Sequence, residues 1–383
     1  MKLPSTTFSQ LSILLGAILG VGMFGLPYLT ARAGWTSLLL WFLVAGFVLL
    51  IVGFCYIRIL HNSQGQHRLP GYVEQHLGHR WKQAAIFTTT MSIWGALLVY
   101  AILGGQFLHD LFADSVGGSS LFYLLVFYVS AAALLYVQAK TIARVEILLL
   151  CFFLVLLAML FITGSRTVQF DFSSWDIRYF ILPYGAVLFS LWGIDVVPDA
   201  AELGERSEKH MRKTYFIALA SAVLIYCLFV YAILSMSGMA SSRDALSGLV
   251  GLLPQKVLLF GYIIGFIATF TSFISLGMNL HKTFQFDYGQ SKHLALFSTL
   301  AFPLAVALAG VSDYLNVMGI VGSLAVGAEA IIILHMYDRF SHGRAHLYRQ
   351  RDWLTFLTRP LMLLLGFGVI LGILTPFLLK YYG

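Results

Sequence analysis

The sequence predicts an all-α polytopic membrane protein with eleven transmembrane helices, and three observations carry that prediction. Of the 383 residues, 59% are hydrophobic and only 11% charged, where soluble domains carry about 25% charged residues. The mean hydropathy is +0.84. Apolar segments recur along the whole chain at lengths near the ~20 residues that a bilayer crossing requires, and no stretch between them is large enough for a separate soluble domain.

Taken in order, the first span covers residues 8–33 and holds GAILGVGMFGLP at 16–27, with four glycines and a proline inside an apolar run. It is too long for a signal-peptide core and is followed by another span, so it is expected to be retained. Continuous apolar runs at 35–60, 83–109, 119–139 and 142–164 supply the next four. The sixth, 178–203, contains FSLWGIDVVPD at 189–199, again a glycine followed by a proline. Runs at 213–237, 254–280, 292–310, 315–335 and 359–380 complete the set. The three cysteines, Cys55, Cys151 and Cys227, all fall inside spans, which argues against a disulfide framework or a zinc site.

Basic residues orient these spans. With the N-terminus in the cytoplasm, 18 of the 24 Lys and Arg residues fall on cytoplasmic segments, and the positive-inside rule then places the C-terminus outside. The net charge of +7 belongs to this bias, so no nucleic-acid partner is implied. The basic loop GERSEKHMRKT (204–214) reads as a topology signal, and the lipid bilayer is the expected surrounding. The chain has no nucleotide-binding loop, nucleophile elbow or metalloprotease motif, which argues against an enzyme. His61, His67, His76 and His79 lack metal-ligand spacing.

The two interrupted spans set the functional expectation. Glycine costs roughly 1 kcal/mol and proline about 3 relative to alanine in a helix interior, so each stretch predicts a broken helix. The breaks fall at equivalent places if spans 1–5 and 6–10 form two inverted repeats, at 1–164 and 178–335, with 336–383 as a cytoplasmic loop and an eleventh helix. A pair of interrupted spans so placed points to a substrate site between repeats. The amide groups of Gly22, Met23, Phe24 and Gly25, at a positive dipole end, suit a carboxylate, and carbonyls freed near Leu19, Phe189 and Ser190 suit an ammonium group or a cation. Together they fit the head of an L-amino acid. Gly16 and Gly20 taken alone serve equally for close helix packing. Met23, Phe24, Tyr100 and Trp192 favour a neutral or aromatic side chain, while Asp195, next to Gly193 in the sixth span, would attract a cationic one.

The stretch from Gly16 to Pro27 resembles the first-helix signature of the amino acid/auxin permease family and its bacterial aromatic and hydroxy amino-acid permease relatives. PYGAVLFSLWGIDVVPDAAEL (183–203) resembles the sixth helix of the same families, and QAKTIARVE (138–146) is similar to the start of the fifth helix in the amino acid–polyamine–organocation superfamily. The resemblance implies a LeuT-type fold, with five-plus-five inverted repeats, helices 1 and 6 broken and helix 11 added. It also implies secondary amino-acid transport by alternating access in the cytoplasmic membrane, with no cofactor beyond a coupling ion. Spore-germination subunits show the other outcome for such a fold, a receptor that binds without transporting.

Two coupling ions are open. In span eight the carbonyl of Ala268 lies beside the side chains of Thr271 and Ser272 on one helical turn. This resembles the sodium site of many LeuT-fold transporters, which by that resemblance would add carbonyls of Gly16 and Leu19. The same Ser/Thr pattern also arises from ordinary back-bonding. For proton coupling, the lysine that some superfamily members carry in helix five is replaced here by Phe153, which leaves Asp195 and Glu329 as the intramembrane carboxylates to consider. Glu329 serves structural hydrogen bonding equally well. Glu146, near a membrane edge, reads as a structural partner of Arg144 or Lys140.

Overall fold

Helices account for nearly all the regular structure, and the exception among the described residues is one isolated bridge between Val250 and Leu253. The computed structural model describes residues 6–65, 67–135, 139–164, 170–203, 207–286, 288–343 and 353–382. The first span is two helices, α1 (Thr6–Ile18) and α2 (Gly22–Ala33), bent by 48° at the break. Then come α3 (Trp35–Asn62), the short α4 (Leu69–Leu77), α5 (His79–Val116), α6 (Ser120–Ala133) and α7 (Ala139–Gly164). The sixth span is again divided, into α8 (Pro183–Leu191) and α9 (Val197–Leu203), with a 3₁₀ turn at Ile194–Val196 between them. The chain continues through α10 (Glu208–Ser237), α11 (Gln255–Phe286) and α12 (Lys292–Leu308). It closes with α13 (Tyr314–Ile320), a π-helical stretch at Val321–Val326, α14 (Gly327–Gly343) and α15 (Trp353–Tyr382).

Six helical runs among the described residues are long and apolar enough to cross a membrane, seven when the bent α1–α2 pair counts as one. Helices α6 and α12 are shorter than the runs read from sequence, at 14 and 17 residues. The stop after α12 has a local cause. Gly310 takes a φ of +95°, a conformation open to glycine that ends helices. Side chains at Leu43, Phe87, Val129, Phe297 and Leu363, the last 77% exposed, turn outward as a lipid-facing surface does. Cys55, Cys151 and Cys227 are free thiols.

Lipid offers little hydrophobic drive between helices, so close approach and interhelical hydrogen bonds hold the bundle. Helix α5 is the central post, packed against α4, α6, α11, α12 and α13. A Cβ on Gly105 would lie 2.6 Å from the Leu124 Cα, so glycine sets the α5–α6 crossing. Buried aromatic tips reach carbonyls of other elements: Trp94 Nε1 donates to Ser298 at 3.1 Å, Tyr128 to Leu300 at 2.6 Å and Trp41 Nε1 to Phe180 at 2.6 Å. The tightest crossing joins α8 to the π-helical stretch. A Cβ on Gly322 would meet the carbonyl of Gly185, and one on Gly185 would meet the carbonyl of Gly319.

That crossing is backbone on backbone and cannot give way through side-chain motion. Gly322→Ala is therefore expected to destabilise the purified protein toward the upper end of the ~1–3 kcal/mol typical of overpacking. Gly46→Ala, with open space where its methyl would go, should stay within about 0.5 kcal/mol. Thermal melts of both variants in one detergent check the contrast, and equal melting temperatures would contradict it.

Candidate functional site

The breaks lie at Leu19–Val21 and at Trp192–Gly193, between the helices rather than at the prolines. Pro27 sits inside α2 and Pro198 is the second residue of α9, where a missing amide costs little. The glycines and the turn residues after Ile18 and Leu191 make the interruptions. In the first break Gly20 N–H donates to the Ile18 carbonyl at 2.7 Å, and so abandons the Gly16 carbonyl it would meet in a continuous helix. Gly16 itself lies within α1.

The two breaks are packed on each other. Helix α1 runs against α9, and α2 against α8. A Cβ on Gly22 would lie 2.9 Å from the Ser190 Cα, and one on Gly193 would press into the Ile18 side chain. Gly25 faces Leu315 and Met318 of α13. The Cβ sides of Gly22, Gly25 and Gly193 therefore meet protein, so these glycines permit helix contact whatever their amides bind. Gly20 differs: its nearest neighbour on that side is the Tyr100 hydroxyl at 3.7 Å.

Two of the expected backbone donors and acceptors are already used. The Phe24 amide donates to Val21 at 3.1 Å, and the Phe189 carbonyl accepts from Trp192 at 3.3 Å, because both chains tighten into turns at the breaks. This corrects the expectation for Phe24 and Phe189. The amides of Gly22 and Met23 stand in the first turn of α2, where no helical carbonyl precedes them. The Ser190 and Ile18 carbonyls both face the hydroxyl of Tyr226, which reaches in from α10. Sequence reasoning missed Tyr226, since one tyrosine among 19 in an apolar helix carries no signal by itself.

The apolar residues divide similarly. Phe24 is fully buried in an edge-to-face cluster with Phe107 at 5.1 Å and Phe229 at 5.7 Å. Phe153 extends that cluster at 6.0 Å from Phe229. Met23 and Tyr100 are buried beside the first break, and Trp192 Nε1 donates to Asp195 at 3.1 Å.

Asp195 lines a cavity of about 20 Å³ together with Tyr56, Arg68, Thr89, Asn279 and Thr283, room for about one water. Arg68 forms a bidentate pair with Asp199 on α9 at 2.7 and 2.8 Å. Glu329 is fully buried close to the Thr89 hydroxyl, which lines the same cavity as Asp195. On α11 the Thr271 hydroxyl donates to the Ala268 carbonyl at 3.2 Å, and Ser272 is half-buried one residue on. The main packing partners of α1 are α7, α9 and α10, and those of α11 are α5, α6, α7 and α12, so no principal packing contact joins the first-helix carbonyls to Thr271. No cluster of three His, Cys, Asp or Glu side chains able to hold a metal occurs among the described residues. The suggested pairing of Glu146 with Arg144 or Lys140 lies outside the described side chains.

Comparison with known proteins bears on this geometry. The structure of MhsT in complex with L-phenylalanine superposes with a TM-score of 0.70, covering 96% of this chain and 98% of that one at 15% identity. At that identity the likeness establishes the fold, which is the LeuT type. Comparison with curated protein sequences finds no match. The tryptophan/tyrosine permease family matches residues 4–349. The chain therefore belongs to the tryptophan/tyrosine permease family and is an amino acid permease, not an enzyme.

Proposed function

We propose that the protein carries aromatic L-amino acids across the cytoplasmic membrane by alternating access. In this reading eleven transmembrane helices form a five-plus-five inverted repeat with a terminal addition, N-terminus inside and C-terminus outside. The observation that carries it is the meeting of the two helix interruptions. The ends of α1 and α8 bring carbonyls together at Tyr226, and the first turn of α2 rests on Ser190. Carbonyl ends attract an ammonium group and the amides of Gly22 and Met23 attract a carboxylate, which is the polarity of an amino acid head. The family name and the phenylalanine bound to MhsT support an aromatic side chain. Counterflow of labelled L-tryptophan in proteoliposomes tests the reading. Exchange is expected with internal tryptophan, tyrosine or phenylalanine, and binding without exchange would make the protein a receptor.

Sodium is the proposed coupling ion. Hard cations take oxygen ligands, and Ala268, Thr271 and Ser272 present them on one turn of α11. Thr271→Val removes one oxygen while nearly keeping shape, and an unmet polar requirement in such a setting costs about 1–3 kcal/mol. Sodium affinity should fall roughly 5- to 150-fold. Substrate affinity at fixed sodium should fall with it and recover as sodium rises, because the coupling is reciprocal. Tryptophan binding indifferent to sodium in the unmodified protein would remove this assignment.

One observation favours protons instead. Glu329 is buried close to the Thr89 hydroxyl, and Thr89 and Asp195 line the same cavity with room for water. A carboxyl group in that setting is placed to take up and release a proton. If protons couple transport, Glu329→Gln should retain tryptophan exchange but lose accumulation driven by a pH gradient. Under sodium coupling the same variant should keep sodium-driven accumulation, so two gradients on one variant separate the readings.

A further inference from the structure

The Tyr226 hydroxyl has no counterpart in the site described so far. Tyr226 stands in the middle of α10 and is fully buried. Its ring stacks on Phe42 of α3, with centroids 6.1 Å apart and planes 14° from parallel. Its hydroxyl lies within hydrogen-bond distance of two carbonyls, that of Ile18 at the end of α1 and that of Ser190, one residue before the end of α8, at 3.0 Å. The Ile18 oxygen also accepts the Gly20 N–H at 2.7 Å, so the turn at the first break already serves it, and α8 stops one residue past Ser190. The phenol has one proton to share between them, and each carbonyl oxygen has two lone pairs. The tie therefore leaves acceptor capacity on the Ser190 oxygen, while the Ile18 oxygen, bonded by Gly20 and facing the phenol, has both lone pairs engaged.

We infer that Tyr226 is a positioning residue of the substrate site: its hydroxyl, anchored on the Ile18 carbonyl of α1, fixes the place of the Ser190 carbonyl of α8 that receives the substrate's ammonium group. This inference rests on the transport reading above. Three contacts define the unit. Tyr226 spans the two carbonyls, Ile18 closes on Gly193, and Ser190 closes on Gly22. Two helices interrupted at the same depth would otherwise be free to shift their carbonyl ends independently. With the tie in place the Ser190 oxygen is held at a fixed place relative to the α1 end, and a bound ammonium meets an acceptor already in position. Phe42 holds the phenol ring from the opposite side, so the hydroxyl cannot swing away without losing the stack.

The test separates positioning from general support of the fold. Binding of L-tryptophan and of indole-3-propionate, which keeps the indole and carboxylate but lacks the amine, is measured by thermal shift and by titration on the purified full chain. In Tyr226→Phe the affinity for L-tryptophan should fall roughly 10-fold, the scale of a lost buried hydrogen bond. Indole-3-propionate should change by less than about 2-fold under the same reasoning, so the preference for the amine shrinks. Gly193→Ala keeps Tyr226 but pushes Ile18 outward, and it should narrow the same preference. That variant carries the test if Tyr226→Phe is not recovered folded. Phe42→Leu loosens the ring's support and should lower the melting temperature and narrow the amine preference by less than Tyr226→Phe does. Equal weakening of both ligands in Tyr226→Phe and Gly193→Ala, or no change in either, would overturn the inference. Unmodified protein that binds none of L-tryptophan, L-tyrosine or L-phenylalanine would overturn the transport reading, and this inference with it.

Discussion

Peptide groups inside a bilayer have no water to turn to, so every N–H and C=O released by a helix break must find a partner in the protein or in what it binds. This protein releases such groups twice, after Ile18 and after Leu191, and much of the central packing follows from accommodating them. Local turns absorb part of the demand, through Gly20 to Ile18, Phe24 to Val21 and Trp192 to Phe189. Tyr226 reaches from a third helix to the carbonyls that remain nearest the junction. What is left, the first-turn amides of α2 and spare acceptor capacity on the Ser190 carbonyl, has the polarity of an amino acid head.

The same constraint explains where glycine appears. For the breaks to share one set of partners they must touch, and a side chain at Gly22 or Gly193 would hold them apart. The scaffold around them repeats the device at Gly185 and Gly322, where α8 meets the π-helical stretch backbone to backbone. π-Helical segments concentrate at functional sites, and this one leads directly into α14, which carries Glu329 at its third position. The second half of the divided helix, α9, is tied in turn to the segment before α4 by the two hydrogen bonds between Arg68 and Asp199. The two helix breaks, the buried carboxyl and the water-sized cavity thus lie along a few interrupted or distorted helices.

Much of this was legible in the sequence, for physical reasons that can be named. Glycine inside an apolar run is costly enough that GAILGVGMFGLP and FSLWGIDVVPD announced interruptions, and a lone carboxylate such as Glu329 is conspicuous among apolar neighbours. The exact places of the breaks were not legible, because proline tolerates the first turn of a helix and so does not mark its end. Nor was the use of individual backbone groups. Whether Phe189 offers a free carbonyl depends on a turn formed three residues later. Tyr226 lay beyond reach for another reason: its role comes from a contact across 208 residues of chain, which no local pattern encodes. Helix α12 likewise ends where Gly310 adopts positive φ, a choice made by the folded backbone.

The central claim is that the two interruptions form one amino acid site, and the most direct measurement is a cryo-electron microscopy map of the full chain with L-tryptophan bound. The account predicts ligand density beside the junction of residues 19–22 and 190–193, its ammonium group toward the Ser190 carbonyl and its carboxylate toward the Gly22 and Met23 amides. Density for tryptophan elsewhere, with none beside the two breaks, would contradict it.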